Sequence, residues 1–447
     1  MTTLSPDQKL IADQFIEFIT SPDHKEMIIT GHGGCGKSFL ISYLSNIVLK
    51  EYYDLCQMLK MTPVINQLYL TATTNKAAAV LAENLQESVN TIHSLLGLQV
   101  YDDYETGESK LSLKKEANII SNALIFIDEA SMIDKSLLKF IRTRTKNCKI
   151  VFVGDAKQLA PVKETTCPAM NQGNNTLFYK LTTNIRSAGQ PAILALCNQL
   201  RDSVETNEFK PIQLVPGVID QLSGQEAEDE IKQVFGNNLN PDTRIIAFSN
   251  KRVIEYNDYI RELRQLPKNV TKGESLIVNT PSRTSRNNFL YSEQEIIIAD
   301  EPEKTTLNEM DLASETLIAD PNRLTFEIEI SRCEIKDANT HEPLGYVRIP
   351  VNMNYVLSIL KYFAKRKEWT NYFTLKEMLC DIRPKDACTI HKIQGSTVDT
   401  IYIDAEDISK CRFTNMVARL LYVACSRAKK RIVFFGDLKE SYGGLVK

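Results

Sequence analysis

The run Met27-Ile28-Ile29-Thr30, followed by Gly31-His32-Gly33-Gly34-Cys35-Gly36-Lys37-Ser38, decides how this chain is read. An apolar strand-like stretch ends in a loop with four glycines, and Phe39 then opens the helical pattern FLISYLSNIV. G-x-x-x-x-G-K-S in that setting is a phosphate cradle: the loop turns backbone N–H groups inward, and the helix N-terminus adds its dipole. Lys37 reaches the β and γ phosphates, and the Ser38 hydroxyl is a ligand for Mg²⁺. A plain glycine-rich turn before a helix is the alternative, and the strand and helix on either side disfavour it.

Outward from this loop, apolar runs at Leu68–Thr71, Leu124–Ile127 and Ile150–Val153 alternate with helical segments, which implies a parallel sheet covered by helices. The segment Leu98–Lys115, LQVYDDYETGESKLSLKK, interrupts that alternation and reads as a hairpin about a Gly-containing turn. A second α/β pattern starts near Gln190, includes Thr243–Ser249 and the helical NKRVIEYNDYIRELRQL, and resumes at Ala387. Between these, residues 273–381 are rich in short β-type runs and end in VLSILKYFAKRKEW and TLKEMLCDI, two helical stretches. The expected division is therefore residues 1–187 as a first core with a hairpin insertion at about 96–118, residues 188–275 with 381–447 as a second core, and 276–380 as a β-rich insertion with a helical extension.

The bulk composition excludes several classes. With 447 residues, 43% hydrophobic and 24% charged, the chain can bury two or three cores. It has no apolar run of membrane-spanning length, and MTTLSPDQKL does not read as a signal peptide, so a cytoplasmic protein is expected. The ten cysteines form no C-x-x-C pair and no Cys/His cluster of metal-ligand spacing, as expected for reduced thiols. A net charge of −3 gives no global attraction to nucleic acid, so any polynucleotide must be held in a local groove.

Hydrolysis of a bound nucleotide needs one carboxylate for hydrated Mg²⁺ and another for water. Asp128 and Glu129, ending the apolar run ALIFI, fit those roles. Alone, such a pair is more often a helix cap; behind a phosphate loop and before Ala-Ser-Met it reads as catalytic. The next strand ends in GDAKQLAPV, where Gln158 could sense the γ phosphate and the attacking water. Arg186 and Arg427 are candidates for stabilising charge at that phosphate, with an ordinary surface arginine as the alternative for each.

Single strands are gripped through backbone phosphates and base faces. Thr73, Thr74, Asn75 and Lys76 lie at a strand-to-helix junction suited to a phosphate. The rings Tyr362, Phe363, Trp369, Tyr372 and Phe373 could stack bases, although at helical spacing they read rather as core. The hairpin tip from Tyr104 to Glu108, with its acidic residues, suits a wedge at a strand junction better than a grip.

Taken in order, Gln8, GHGGCGKS, TATTNKAAAV, TIHSLLG, IFIDEAS, GDAKQLAPV, LTTNIRS, AFSNK, TIHKIQGSTVD and YVACSRAKK resemble the motif series of superfamily 1 helicases, most of all the group B branch of RecD and Dda. The resemblance covers nearly the whole chain and implies two RecA-like P-loop NTPase domains, a pin-bearing hairpin in the first and an SH3-like insertion in the second. It implies ATP and Mg²⁺ as cofactors, and 5′-to-3′ movement on single-stranded DNA toward a forked duplex. By the same resemblance the protein acts as a monomer, with a single-strand-binding or other replication or recombination protein as partner, in a bacterial cell or a phage-infected host.

Carried over by residue, Gln8 would contact adenine. Gln158, Arg186, Gln394, Gly395 and Arg427 would complete the γ-phosphate environment, and His93, Tyr104, Asn250, Lys251, Thr389, His391 and Lys392 would join Thr74, Asn75 and Lys76 on DNA. His32 and Cys35 depart from the family's usual loop residues, and Cys35 is expected to confer sensitivity to thiol reagents. The region 273–381 matches least. A translocase that strips bound proteins without opening duplexes shares every one of these ATPase residues, and a metabolic P-loop NTPase is the rival from another class. Backbone-gripping motifs alone do not exclude RNA.

Overall fold

A computed structural model describes residues 4–103, 109–161, 164, 166–171, 173, 175–183, 190–236, 242–312 and 324–446. Its two compact units are Met1–Gln99 with Leu111–Leu222 and Ile393–Lys447, and Val100–Lys110 with Ser223–Lys392.

The first unit is built on a six-stranded sheet in the order Thr176–Leu181, Glu26–Gly31, Lys149–Gly154, Ala123–Asp128, Gln67–Ala72, Asn90–Thr91. Every neighbouring pair is parallel. Continuous burial of Ala123–Ile127 and Lys149–Gly154 is what a parallel sheet covered on both faces demands. Apolar side chains fill both faces. On one, Phe15 and Phe18 of the first helix meet Phe126, with the Phe15 and Phe126 rings stacked 5.9 Å apart. Each such fully buried ring contributes about 1.5–3 kcal/mol relative to exposure.

That first helix, Pro6–Thr20, starts with a reciprocal cap: the Gln8 amide N–H donates to Ser5 Oγ, and the Gln8 side chain accepts from the Ser5 N–H at 3.0 Å. Lys149, buried at the head of its strand, donates to Ser21 O and His24 O just past the helix end and lies 5.0 Å from the Phe18 ring centre. This desolvation lowers its ammonium pKa to about 8.

The same unit carries a second parallel set, in which Ala428–Phe435 lies between Ile219–Leu222 and Val398–Asp404. The helices Pro191–Thr206 and Thr414–Cys425 pack on each other. In the second unit, Thr243–Ala247 pairs in parallel with Ala387–Thr389. Thr243–Ala247 falls in the run Thr243–Ser249, and Ala387–Thr389 at the point of resumption, that the sequence reads as parts of a second α/β pattern. The fold class is thus α/β with two RecA-like cores of parallel strands.

The second unit also holds an antiparallel sheet in the order Glu303–Asn308, Glu327–Asp337, Glu295–Ile298, Ser275–Val278, Ile382–Pro384, with Pro343–Pro350 also paired to Glu327–Asp337. The helices Met353–Arg366 and Trp369–Met378 cover apolar residues of that sheet through Val356, Ile359, Phe363 and Leu375. The first of these helices ends earlier than its apolar pattern suggests, because Lys367 turns left-handed at φ 59°. Trp369 then opens the second helix. Phe363 and Phe373 are core residues, and Tyr362 and Tyr372 pack edge-on against them. The strands Leu98–Asp102 and Ser109–Leu113 pair with each other. The intervening Tyr104–Glu108, and Arg186, lie outside the described residues. Among the described residues, no helix is long and apolar enough to cross a membrane.

Candidate functional site

Ligands of open parallel sheets bind beyond the carboxyl ends of the strands. Four of those ends carry the residues singled out above. Strand Glu26–Gly31 runs into the glycine loop. A Cβ on Gly31 would stand 2.5 Å from Cys35 Sγ and 2.9 Å from Leu181 Cβ, so only glycine fits. Gly36 takes φ 75° immediately before the helix Lys37–Tyr43, a left-handed turn that opens the loop towards the helix N-terminus. The Lys37 ammonium donates to Gly31 O and His32 O, each at 2.9 Å, and His32 Nδ1 lies 2.8 Å from Gly33 O.

Two contacts refine the sequence reading of the loop. Gln8 is fully buried, and its side-chain amide donates to Cys35 O and Gly36 O at 3.3 Å each, so this residue braces the cradle from beneath. Cys35 is buried, and desolvation pushes its thiol above the ordinary range. That corrects the expectation of a reagent-sensitive thiol, since reactivity requires an accessible thiolate.

Further across the sheet, Thr73 directly follows the strand Gln67–Ala72, with its N–H donating to Asp128 O and its hydroxyl to Glu129 O, both at 3.3 Å. Thr74 caps the following helix by accepting from Ala77 N–H at 3.1 Å, while Asn75 is exposed and Lys76 half-buried. The strand Ala123–Asp128 then delivers its two acids. The Glu129 N–H donates to Asp128 Oδ1 at 2.9 Å, and Glu129 holds a left-handed backbone at φ 53°. A residue with a Cβ pays about 1–2 kcal/mol for that conformation, strain of a kind that clusters at functional sites. Burial first, and then the neighbouring Glu129, push the Asp128 carboxyl up; Lys37 opposes the shift, which puts ammonium and both acids within electrostatic reach.

The fourth strand ends at Gly154, where a Cβ would press at 3.2 Å on the backbone nitrogens of Ala130 and Ser131. The Ala156 N–H donates to Thr30 Oγ1 at 3.3 Å, tying the Asp155–Gln158 loop to the strand that enters the cradle. Gln394 Nε2 approaches Ser131 Oγ at 3.5 Å, and Gly395 follows with φ 83°. Two buried side-chain oxygens here, Glu129 Oε2 and Gln158 Oε1, have no hydrogen-bond partner among the described residues. Such orphans are costly unless something outside the chain satisfies them.

The donors fit a nucleotide with Mg²⁺: hard oxygens on Ser38 and Asp128, an ammonium, a loop of four glycines, and two acceptors unsatisfied among the described residues.

Arg427 is buried. Its guanidinium donates to Val423 O at 3.2 Å, to Ser426 Oγ at 2.8 and 3.1 Å, and to Ser396 O at 3.4 Å. These contacts lie on its own helix end and on the Gln394–Gly395 turn, and not on the glycine loop. The sequence reading passed over three other residues at this site. Arg201 and Tyr422 both bond the Asp155 carboxylate, and Arg419 bonds the Ala156 and Gln158 carbonyls. Nothing in the pattern around Arg201 announced this; Arg419 and Tyr422 share a helix face by their spacing of three.

In the second unit, Asn250, Thr389 and Lys392 line one shallow open cleft together with Asn279, Glu293 and Arg383. Lys392 donates to both oxygens of Asn279 and lies 3.6 Å from Glu293, and burial lowers its pKa. Lys251 is exposed beside Glu255. Burial also lowers the imidazole pKa of His93 in the first unit and of His391 in the second.

The chain is similar to several known proteins. Residues 17–164 match the AAA domain family and residues 386–435 the UvrD-like helicase C-terminal domain. The uncharacterized protein R530 of Acanthamoeba polyphaga mimivirus is 24% identical over 96% of this chain and 98% of its own length. The ATP-dependent DNA helicase dda of Enterobacteria phage T4 is 23% identical over 96% of this chain and 99% of its own. A crystal structure of a Pif1 helicase from Bacteroides, in complex with ADP-AlF3 and ssDNA, aligns with 100% of this chain and 95% of that one at 15% identity and a TM-score of 0.45. In its ordered motifs, its parallel cores and its two partial family matches, the chain is similar to the superfamily 1 helicases of the RecD and Dda type.

Proposed function

We infer that this chain is an ATP-dependent DNA helicase that travels 5′ to 3′ on single-stranded DNA and opens forked duplexes. The observation that carries the reading is the convergence of Lys37, Asp128, Glu129 and the unpartnered Gln158 oxygen at adjoining strand ends. The named activity of the Dda relative supports it.

In this mechanism the loop from Gly31 to Gly36, with Lys37, Ser38 and Phe39 behind it, holds the phosphates, while Gln8 keeps the loop in shape beside the adenine. Ser38 and Asp128 would hold Mg²⁺, which when bound neutralises charge on the phosphate oxygens. Glu129 accepts the proton of the attacking water, and Gln158 aligns that water through its free oxygen. Arg186, Arg427 and the Gln394–Gly395 turn respond to the γ phosphate. Thr74, Asn75, Lys76, His93, Tyr104, Asn250, Lys251, Thr389, His391 and Lys392 contact DNA. We further propose the division into residues 1–187, 188–275 with 381–447, and 276–380, and action as a monomer alongside replication or recombination proteins.

The direct test measures ATP hydrolysis with and without single-stranded DNA, then unwinding of duplexes bearing only a 5′ or only a 3′ tail. Turnover is expected to rise strongly with DNA, and only the 5′-tailed substrate is expected to open. Turnover indifferent to DNA would instead indicate a metabolic NTPase. Displacement of a bound protein from duplexes that stay paired would indicate a translocase.

Arg427→Ala is expected to lower kcat for ATP by about 10³-fold with KM changed less than about threefold. Thermal melting controls for the loss of its buried bonds. Near-normal turnover in a folded variant would remove Arg427 from the γ-phosphate environment.

A further inference from the structure

The loop that carries Gln158 is held in an unusual way. Asp155 is wholly buried. Its Oδ2 accepts from Tyr422 Oη at 2.5 Å and from Arg201 Nη1 at 3.3 Å, and its Oδ1 accepts from the Lys157 N–H at 3.1 Å. Arg201 closes the triangle by donating to Tyr422 Oη at 3.3 Å, with its guanidinium carbon 5.8 Å from the Tyr422 ring centre. From the same helix face as Tyr422, Arg419 Nη1 donates to Ala156 O at 3.0 Å and to Gln158 O at 2.5 Å. Lys157 pairs with Glu205 at 2.8 Å, one turn beyond Arg201.

Side chain and backbone from 155 to 158 are therefore clamped by two helices. One of them, Thr414–Cys425, ends two residues before Arg427. A purely structural brace has no need of this chemistry, since a buried ionic cluster is no more stabilising than apolar packing of the same volume. What charged and phenolic groups add is direction: each bond has one geometry, and movement of the helix by an ångström breaks or makes it. Gln158 Oε1, buried and without a partner, is the group whose placement such a clamp controls.

We propose that Tyr422, with Arg201 and Arg419, is a positioning residue that sets Gln158 for hydrolysis according to where the helix that precedes Arg427 lies. This rests on the ATPase reading given above. The arrangement links the γ-phosphate sensor to the helix that precedes the arginine, so the two act in step.

The test is a double-variant cycle on the full-length protein. Tyr422→Phe keeps the ring and its packing but removes the hydroxyl. Its kcat with saturating single-stranded DNA should fall about tenfold or more, with KM for ATP within about threefold of wild type. Gln158→Ala should be slower still, and Tyr422→Phe placed on Gln158→Ala should slow it no further, because the phenol acts through Gln158. Asp155→Asn, which keeps an acceptor for Tyr422 but loses the charge facing Arg201, repeats the cycle if Tyr422→Phe folds poorly. Wild-type turnover in Tyr422→Phe, or losses that add up in the double variant, would overturn the positioning role while leaving the ATPase reading intact. A wild-type protein whose hydrolysis ignores DNA would remove that reading instead, and this proposal with it.

Discussion

Lys37→Ala is expected to lower ATP hydrolysis by at least about 10³-fold, both with and without single-stranded DNA. The ammonium is the only cation that the glycine loop itself carries, and it sits 2.9 Å from Gly31 O and His32 O, so its removal takes away phosphate charge compensation and loosens the loop together. Burial of the sheet beneath is untouched, and the variant should melt close to wild type. The decisive measurement is phosphate release at saturating ATP. A folded variant that keeps a tenth of wild-type turnover would show that the loop is not where the nucleotide is processed.

Glu129→Gln separates chemistry from binding. The substitution preserves volume in a half-buried position but removes the ability to take a proton, so kcat should fall by about 10²–10⁴-fold while nucleotide affinity stays within a few-fold. Two features of Glu129 motivate this expectation. Its Oε2 is buried without a partner, and its backbone is held left-handed by the bond from its N–H to Asp128 Oδ1. Retention of DNA-stimulated turnover in Glu129→Gln, with Asp128→Asn inactive, would move the proton-accepting role to Asp128. Nucleotide binding measured by fluorescence, alongside kcat, decides between loss of binding and loss of chemistry.

Two of these features were legible at different depths. The strand that enters the glycine loop, and the strand ending at Asp128, could be read directly because an apolar run followed by a chemically specific terminus survives in one dimension. The edge strand Thr176–Leu181 was not anticipated: it lacks the continuously buried apolar run of the central strands, being only partly buried from Thr176 to Lys180. Gln8 was readable as a motif position but not as a strut, since its amide bonds reach 27 and 28 residues along the chain. The helix over 353–366 was recognisable from its period, yet its end was set by a single left-handed residue, Lys367, that the apolar pattern does not mark.

Sequence alone determined the chemistry available to this protein: a glycine loop with a lysine, two acids behind a buried strand, and a glutamine behind the next. Order and local context suffice for these, because each role depends on a residue type at the end of one element. Tertiary structure alone decided which side chains govern the glutamine. Asp155 and Tyr422 are 267 residues apart and Asp155 and Arg201 are 46 apart, and only the packing of two helices beside the strand end brings them to hydrogen-bonding distance. The physical reason is that a contact between packed elements depends on their relative placement, which leaves no period and no spacing in the sequence.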